Sequence, residues 1–454
     1  MTSSDASNGS GGRLVNRTTA SDTCLIVHPA LVNAPRKRSV DDQINEITGL
    51  AQAICLEVVD VQRINLSKIQ AGSFLGKGQR SRIGETIKNF APDILIFNYA
   101  LSPVQQRNLE REWNIKVIDR TGLILEIFGA RAQTKEGRLQ VELAALDYQR
   151  SRLVRSWTHL ERQRGGAGFM GGPGETQIEL DRRIISDRIV KLKKELENVR
   201  KTRDLGRKAR GRVPFPVVAL VGYTNAGKST LFNALTGAEI FAEDLLFATL
   251  DPTMRKVTLP NGHNVILSDT VGFISDLPTH LVAAFRATLE EVLYADVILH
   301  VVDVSSHDYE AQKSDVIGIL KELGIDYEAD DRIIEVYNKI DCLDDDRLDD
   351  LVREAGFNSR MSLVSALASK GLDGLLAKVQ AITTARHFNV AFEVPYADGK
   401  ALSWLYEHGE ILERQDLDSV VACRVRLDKA SLEKFKNLYG YSCGSEQGVS
   451  NDES

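Results

Sequence analysis

The chain has 454 residues, of which 43% are hydrophobic and 26% are charged, and its formal net charge is −6. This length exceeds one ordinary hydrophobic core and predicts two to four domains of about 100–200 residues each. The negative charge excludes a protein whose whole surface is basic, so any surface that binds nucleic acid must be local.

The cysteines, the histidines and the first residues of the chain indicate its compartment. Five cysteines and eight histidines are scattered without the spacing of a zinc site. We therefore interpret the cysteines as reduced thiols of a cytoplasmic protein. Residues 1–21 are polar and are predicted to be a disordered tail, not a signal peptide. The longest apolar runs are strand-sized, which predicts no membrane span and leaves peripheral contact with a membrane open.

Short apolar runs alternate with helical patterns between residues 22 and 132. This alternation predicts an N-terminal α/β domain with a mainly parallel sheet. The predicted strands are residues 24–27, 93–97 and 116–118, and the predicted helices are residues 41–56, 103–113 and 121–132.

Residues 133–212 are predicted to form a helical hairpin, a coiled-coil arm with a flexible glycine-rich tip. Helical patterns at residues 136–164 and 175–205 flank the glycine run at residues 165–174. Apolar residues recur at alternating threes and fours in the second helix, as in the seam of two packed helices: Ile178, Ile185, Ile189, Leu192, Leu196 and Val199.

The end of the second helix is strongly basic. Residues 191–212 contain ten Lys or Arg and three acidic residues. Two interpretations stay open: a solvated helix face, or contact with a polyanion such as RNA phosphates.

A phosphate-binding loop begins the next predicted domain, residues 213–386. The apolar run at residues 217–221 predicts a buried strand that leads directly into Gly222-Tyr223-Thr224-Asn225-Ala226-Gly227-Lys228-Ser229-Thr230 and a helix. In this context backbone N–H groups and the helix dipole bind phosphates, Lys228 reaches the β and γ phosphates, and Ser229 ligates Mg²⁺.

Two further segments are predicted to sense the γ phosphate. The polar link Phe247-Ala248-Thr249-Leu250-Asp251 would supply a second hydroxyl to Mg²⁺, which we assign to Thr249, with Thr253 as the alternative and a plain turn as a third reading. Asp269-Thr270-Val271-Gly272 follows a predicted strand, so the Asp269 carboxylate would hold Mg²⁺ through water and the Gly272 N–H would contact the phosphate. We predict Lys228, Thr249 and Gly272 as the catalytic set.

Two more motifs predict that the base is guanine. Asn338-Lys339-Ile340-Asp341 follows the predicted strand 333–337, and Ser365-Ala366-Leu367 follows the predicted strand 362–364. The Asp341 carboxylate can accept hydrogen bonds from N1–H and the exocyclic amine of guanine, whereas adenine presents a lone pair at N1. Such a mismatch can reject the wrong ligand by roughly 10⁴-fold, so GTP is favoured over ATP.

Two residues in these motifs concern hydrolysis. Phe273 stands where GTPases of the Ras type carry the glutamine that orients the attacking water, and a phenyl ring can neither orient nor deprotonate water. We expect slow hydrolysis alone and completion of the site by a partner, while a residue of this chain stays the alternative. Asn225 resembles the asparagine of potassium-stimulated GTPases, which suggests K⁺ as a second ion.

The last segment, residues 387–441, is predicted to form a small α+β domain. Its predicted strands are residues 390–394 and 420–427, with helices at residues 400–407 and after the second strand. Residues 442–454 are polar and are predicted to be a disordered tail.

The chain resembles the HflX family of translation-factor GTPases from about residue 22 to the end of the nucleotide domain. The resemblance is most specific in residues 171–183, Gly-Gly-Pro-Gly-Glu-Thr-Gln-Ile-Glu-Leu-Asp-Arg-Arg, and in the block from Asp119-Arg120-Thr121 to residues 139–143. Residues 247–253 and 269–273 also match the family's pattern, and the two ends of the chain match it least.

The resemblance implies a cytoplasmic GTPase that binds the ribosome, chiefly the large subunit and its rRNA, and splits stalled or idle ribosomes. The resemblance places these contacts in the N-terminal domains and the helical hairpin. The sequence is compatible with this, because the hairpin tip at residues 165–174 and the basic arm at residues 191–212 could reach RNA. We interpret the chain as a monomer. A non-ribosomal switch whose hairpin binds another protein is the alternative, and an ATP-dependent RNA-remodelling enzyme would require a base motif that the sequence lacks.

Overall fold

The computed structural model describes residues 22–32, 38–163, 173–210, 215–237, 246–247, 253–270, 272–275, 291–385, 387–441 and 444–447. The tail predicted at residues 1–21 and most of the glycine run, residues 164–172, lie outside these ranges. Within them, the mixed α/β class with a mainly parallel nucleotide-domain sheet is confirmed.

The N-terminal part of the chain alternates strands and helices, as the hydrophobic pattern predicts. Its elements are β1 (Thr23–Leu31), α1 (Val40–Gln52), β2 (Glu57–Leu66), α2 (Lys77–Phe90), β3 (Ile94–Phe97), α3 (Pro103–Trp113), β4 (Lys116–Asp119) and α4 (Arg120–Arg131). The strands are parallel in the order β2-β1-β3-β4. Helix α3 begins at a capping box in which Ser102 and Gln105 each bond the other's backbone N–H.

Two long helices follow, α5 (Lys135–Gln163) and α6 (Pro173–Arg210), and they pack against each other. Residues Leu139 and Leu143 of α5 bury their side chains against Ile189 and Leu192 of α6. Most of the predicted seam is therefore present, while the side chain of Ile178 lies outside the described residues. Helix α6 begins at Pro173, so Gly174 belongs to the helix and not to the loop.

The nucleotide domain has a six-stranded sheet in the order β10-β9-β8-β5-β7-β6. Only the edge strand β6 is antiparallel to its neighbour among these strands. Its elements are β5 (Val217–Gly222), α7 (Lys228–Thr236), β6 (Thr253–Thr258), β7 (Asn264–Asp269), β8 (Val297–Asp303), α8 (Tyr309–Glu322), β9 (Ile333–Asn338), α9 (Asp345–Phe357), β10 (Met361–Leu363) and α10 (Leu372–Ala385).

The C-terminal part has the βαββαβ order of a ferredoxin-like fold, with an antiparallel sheet in the order β12-β13-β11-β14. Its elements are β11 (His387–Pro395), α11 (Gly399–His408), β12 (Glu410–Asp416), β13 (Val420–Asp428), α12 (Lys429–Tyr439) and β14 (Gly444–Gln447). The disordered tail predicted after residue 441 is wrong for Gly444–Gln447, because this segment pairs with β11 at the sheet edge.

One core extends across the boundary between the N-terminal and nucleotide domains. It joins Leu50 and Phe128 of the N-terminal domain to Tyr223, Phe247 and Phe273 of the nucleotide domain, all buried. The two domains therefore share an apolar interface beside the phosphate-binding loop.

Among the described residues, no helix has both the length and the apolar character needed to cross a membrane. The described cysteines, Cys24, Cys55, Cys342 and Cys423, are free thiols.

Candidate nucleotide-binding site

The phosphate-binding loop joins β5 to α7 and lies at the carboxyl end of the parallel strands. Two of its glycines are required by close packing. A Cβ on Gly222 would lie 2.3 Å from the carbonyl oxygen of Val301, and a Cβ on Gly227 would lie 2.2 Å from Asn338 Nδ2. Gly227 also has a φ of 88°, in the left-handed region that favours glycine.

Lys228 is buried at the first turn of α7, and its ammonium group donates to the carbonyl oxygens of Gly222 (3.2 Å) and Tyr223 (2.8 Å). Burial lowers the pKa of Lys228 to about 8, although the carboxylate of Asp269 acts in the opposite direction. An anionic phosphate at this position would favour the charged amine and so offset the effect of burial.

Ser229 and Asp269 form an oxygen pair suited to Mg²⁺. The Ser229 hydroxyl donates to Asp269 Oδ2 at 2.8 Å, and Asp269 ends β7 with 1% of its surface exposed. These are hard oxygen ligands of the kind that Mg²⁺ uses together with phosphate and water, which is the general practice of phosphate-loop GTPases. The described residues contain no cluster of three or more His, Cys, Asp or Glu side chains that could hold a metal without a nucleotide.

The two threonines considered for the second Mg²⁺ hydroxyl have different positions in the chain. Thr253 is the first residue of β6 and pairs with Asp269 across the sheet. Thr249 lies outside the described residues, together with Ala248, Leu250, Asp251 and Val271. Its assignment stays a prediction.

Gly272 lies directly beside the phosphate-binding loop. A Cβ on Gly272 would be 2.9 Å from Thr224 Cγ2 and 3.0 Å from Lys228 Nζ. The following residue is bonded to the loop twice: the Phe273 N–H donates to Gly222 O at 3.0 Å, and the Thr224 N–H donates to Phe273 O at 2.7 Å. The structure therefore brings Gly272 and Lys228, two of the predicted catalytic residues, together.

The base motifs are tied to the phosphate-binding loop by Asn338. Its Nδ2 donates to Ala226 O at 2.9 Å, and its Oδ1 accepts from the Ala366 N–H at 3.0 Å. Because both bonds are buried, Asn338 fixes three loops relative to one another.

Asp341 is exposed at the surface where guanine is expected to bind. A hydrogen bond from Ser365 is the main cause that lowers the pKa of Asp341, so the carboxylate is ionised and able to accept from guanine. Lys339 has a left-handed φ of 66° and an ion pair with Asp303 at 2.7 Å, while Leu367 is 81% exposed beside Ser365. Asp341, Ser365 and Leu367 are thus close together.

The remaining predicted site residues have separate positions. Asn225 is exposed with a φ of 60°, and Thr230 is half-buried in the first turn of α7. The hydroxyl of Thr270 donates to Leu220 O at 2.6 Å. The ring of Phe247 is buried against Phe128 of α4, with 4.7 Å between ring centroids, so a nucleotide contact from Phe247 would have to come from its backbone.

A polar cluster behind the phosphate-binding loop is absent from the sequence-based predictions. It consists of the buried residues Arg38, Glu46 and Arg120 from the N-terminal domain, which contact Tyr223 and Ser275 of the nucleotide domain. Only the family resemblance of the block around Arg120 could have drawn attention to it, because contacts across more than a hundred residues of sequence leave no local pattern.

Three family models match the chain between residues 41 and 339. The family model "GTP-binding GTPase N-terminal" matches residues 41–129, "GTP-binding GTPase Middle Region" matches residues 131–210, and "50S ribosome-binding GTPase" matches residues 217–339. A solved GTP-binding protein from Sulfolobus solfataricus, in complex with GDP, is 24% identical, with 80% of this chain and 99% of that chain covered and a TM-score of 0.44.

Two bacterial relatives are considerably more similar in sequence. GTPase HflX of Magnetococcus marinus is 49% identical over 87% of this chain and 90% of its own length. GTPase HflX of Caldanaerobacter subterraneus subsp. tengcongensis is 41% identical over 90% of this chain and 92% of its own length. The chain therefore belongs to the GTPase HflX family and hydrolyses GTP.

Proposed function

We propose that this GTPase binds the large ribosomal subunit through its hairpin and N-terminal domain, and that it splits stalled or idle ribosomes in its GTP-bound state. It acts as a cytoplasmic monomer. The observation that carries the proposal is the set of exposed lysines on α6, Lys191, Lys193 and Lys194, in a chain whose nucleotide domain matches the model "50S ribosome-binding GTPase".

The basic face is presented by a helix whose other side is anchored. Ile189 and Leu192 are buried against α5, while Lys191, Lys193 and Lys194 are exposed. Arg188 pairs with Glu142 of α5 at 2.7 Å, which adds a polar contact between the two helices. An anchored helix that displays several cations is well suited to bind RNA phosphates, since little order has to be gained on binding.

Slow hydrolysis without the ribosome is part of the proposal. The Phe273 side chain is 2% exposed and belongs to the core shared with the N-terminal domain, so it serves packing and not water activation. The group that orients the attacking water would come from the ribosome, an effect that can reach about 10³–10⁵ in rate.

Potassium is proposed as an additional ion at Asn225. This exposed residue of the phosphate-binding loop could present its side-chain oxygen to a monovalent cation near the phosphates. The test is the GTPase rate in KCl and in NaCl at equal ionic strength, with Asn225→Ala as the variant. Equal rates in both salts would remove potassium from the proposal.

GTP hydrolysis by the purified protein, alone and with isolated large subunits or whole ribosomes, tests the ribosome proposal. We expect stimulation by orders of magnitude that declines as salt rises, because bound cationic side chains displace counterions from RNA. A slow rate that ribosomes do not change, despite tight GTP binding, would favour the non-ribosomal switch.

Charge reversal tests the proposed contact surface. Replacement of Lys191, Lys193 and Lys194 by Glu should weaken ribosome binding by about tenfold or more and leave GTP hydrolysis without ribosomes unchanged. Glu at Lys400 and Lys434, two exposed lysines of the C-terminal domain, is the control for charge reversal elsewhere on the surface. Sedimentation of whole ribosomes with the protein and GTP then reports splitting, and an unchanged ribosome peak would refute that part.

A further inference from the structure

The phosphate-binding loop contains a tyrosine, Tyr223, whose hydroxyl makes hydrogen bonds through its donor and both of its acceptor sites. Tyr223 donates to the Glu46 carboxylate of α1, and it accepts from the Ser275 N–H at 2.8 Å and from Arg38 Nη1 at 2.9 Å. A phenolic oxygen offers one donor and two acceptor sites, so the described contacts fill all three. One atom thus joins the N-terminal domain, the phosphate-binding loop and the segment that follows Gly272.

The charges around Tyr223 are buried and balanced. Glu46 accepts hydrogen bonds from both Arg38 and Arg120, and Arg38 also pairs with Asp308. Burial alone would raise the pKa of Glu46, but the two guanidinium groups outweigh it and lower the pKa. Burial and the Glu46 carboxylate raise the pKa of Tyr223, so its hydroxyl stays protonated and donates.

The tyrosine hydroxyl contacts Ser275, which lies three residues after Gly272 in the chain. Residues 273–275 are fixed at three points: Phe273 N to Gly222 O, Phe273 O to Thr224 N, and Ser275 N to Tyr223 Oη. The Ser275 carbonyl also accepts from Arg120 Nη2 at 3.1 Å. With the chain after Gly272 held in this way, the Gly272 N–H has little freedom relative to Lys228.

The first sensing segment also rests on the N-terminal domain. A Cβ on Gly49 of α1 would be 3.1 Å from Leu246 Cδ1, and Phe247 packs edge-on against Phe128 of α4. Leu246, Phe247 and the segment 273–275 therefore contact the same two helices, α1 and α4.

We propose that Tyr223 is a positioning residue for GTP hydrolysis: held by Glu46 of the N-terminal domain, it sets the place of Gly272 relative to Lys228 and couples the γ-phosphate site to that domain. The tyrosine touches neither phosphate nor water in this role. The inference concerns the GTPase reaction itself and does not depend on ribosome binding.

The test is Tyr223→Phe, which removes one oxygen atom and leaves the ring in the core. We expect the affinity for a non-hydrolysable GTP analogue to fall about 5-fold or more and kcat to fall similarly, while GDP affinity changes less than twofold. A purely structural role would affect GTP and GDP binding alike. Tyr327→Phe is the matched control, because Tyr327 is buried and bonded to His300 and Glu335 in the same domain, outside the described nucleotide contacts.

A double-mutant cycle with Glu46→Gln tests the route through the N-terminal domain. If the two residues act together, the double variant should lose little more selectivity for the GTP analogue than Tyr223→Phe alone. Hydrogen exchange gives the second measurement: the GTP analogue should protect α1 relative to GDP in the wild type, and this difference should shrink in Tyr223→Phe. Thermal unfolding establishes that each variant is folded.

Three outcomes would overturn the proposal. They are an unchanged ratio of GTP-analogue to GDP affinity in Tyr223→Phe, equal behaviour of Tyr223→Phe and Tyr327→Phe, and faster hydrolysis in Tyr223→Phe. The last result would mean that the cluster restrains the segment and does not position it.

Discussion

Asn338 allows a quantitative prediction for nucleotide binding, because its amide joins the base motif to two other loops. In Asn338→Ala, Ala226 O loses its donor and the Ala366 N–H loses its acceptor. An unsatisfied buried group costs about 1–3 kcal/mol, so the two losses sum to about 2–6 kcal/mol. Part of this cost lowers the free energy of unfolding, and the rest appears when nucleotide binding must order loops that are no longer connected.

If about 1.4 kcal/mol of the cost falls on binding, GDP affinity drops about tenfold. We therefore expect at least a tenfold rise in the GDP dissociation constant, measured by isothermal titration calorimetry at a temperature where the variant is folded. Asn358→Ala is the matched control, since Asn358 Oδ1 accepts from the Arg360 N–H at 3.0 Å in the same domain but outside the nucleotide loops. GDP affinity within twofold of the wild type in Asn338→Ala would refute the reasoning.

Three further variants test the packing and the titration of the fold. Leu192→Ala in the fully buried hairpin seam should lower the free energy of unfolding by about 2–5 kcal/mol, whereas Val190→Ala, 68% exposed, should change it by less than about 0.5 kcal/mol in the same urea titrations. Gly222→Ala should abolish GTP binding in a filter assay, because its Cβ would meet a backbone oxygen at 2.3 Å. Burial, with smaller effects of nearby lysines, lowers the pKa of His300 to about 3, so between about pH 6.5 and pH 3 His300 is protonated mainly in the unfolded state. As the pH falls through this range, His300 should lower the free energy of unfolding by up to about 1.4 kcal/mol per pH unit. The variant His300→Gln should lose this contribution, and the variant His307→Gln, at an exposed position, should keep it.

The nucleotide site could be predicted from sequence because its motifs follow buried strands of a parallel sheet. Such strands are nearly continuous apolar runs, and their carboxyl ends meet at one edge, so β5, β7 and β9 indicate both the elements and the place of their loops. The predicted strand at residues 217–221 differs from β5 by one residue.

The elements that escaped prediction lack these signals. Strand β2 lies at the edge of its sheet and pairs only with β1 among the described strands, so polar side chains are tolerated in it. It contains Glu57, Asp60, Gln62 and Arg63. Strands β12 and β14 are also edge strands rich in polar residues. Hydrophobic alternation is therefore a weaker guide at sheet edges than in sheet centres.

The strand order of the N-terminal sheet explains why the cluster around Tyr223 lies where it does. In the order β2-β1-β3-β4 the connection after β1 leads to β2 on one side and the connection after β3 leads to β4 on the other, and open parallel sheets have a crevice between two such strands, beyond their carboxyl ends. At this point His28 and Asn98 bond to each other at 2.9 Å, and Asn98 Oδ1 accepts from Arg120.

Arg120 connects this crevice to the nucleotide domain. It donates to Asn98 and Glu46 within the N-terminal domain and to the Ser275 carbonyl of the nucleotide domain, so one guanidinium group satisfies Asn98 at the crevice and reaches the neighbouring domain. Burial is the main cause that lowers the pKa of His28 to about 4, and the positive charges of Arg63 and Arg120 add to it. A neutral His28 can accept from the Asn98 amide, and that bond leaves Asn98 Oδ1 facing Arg120. The edge of the sheet that binds small ligands in many α/β proteins is thus used here to hold the guanidinium group that contacts the segment after Gly272.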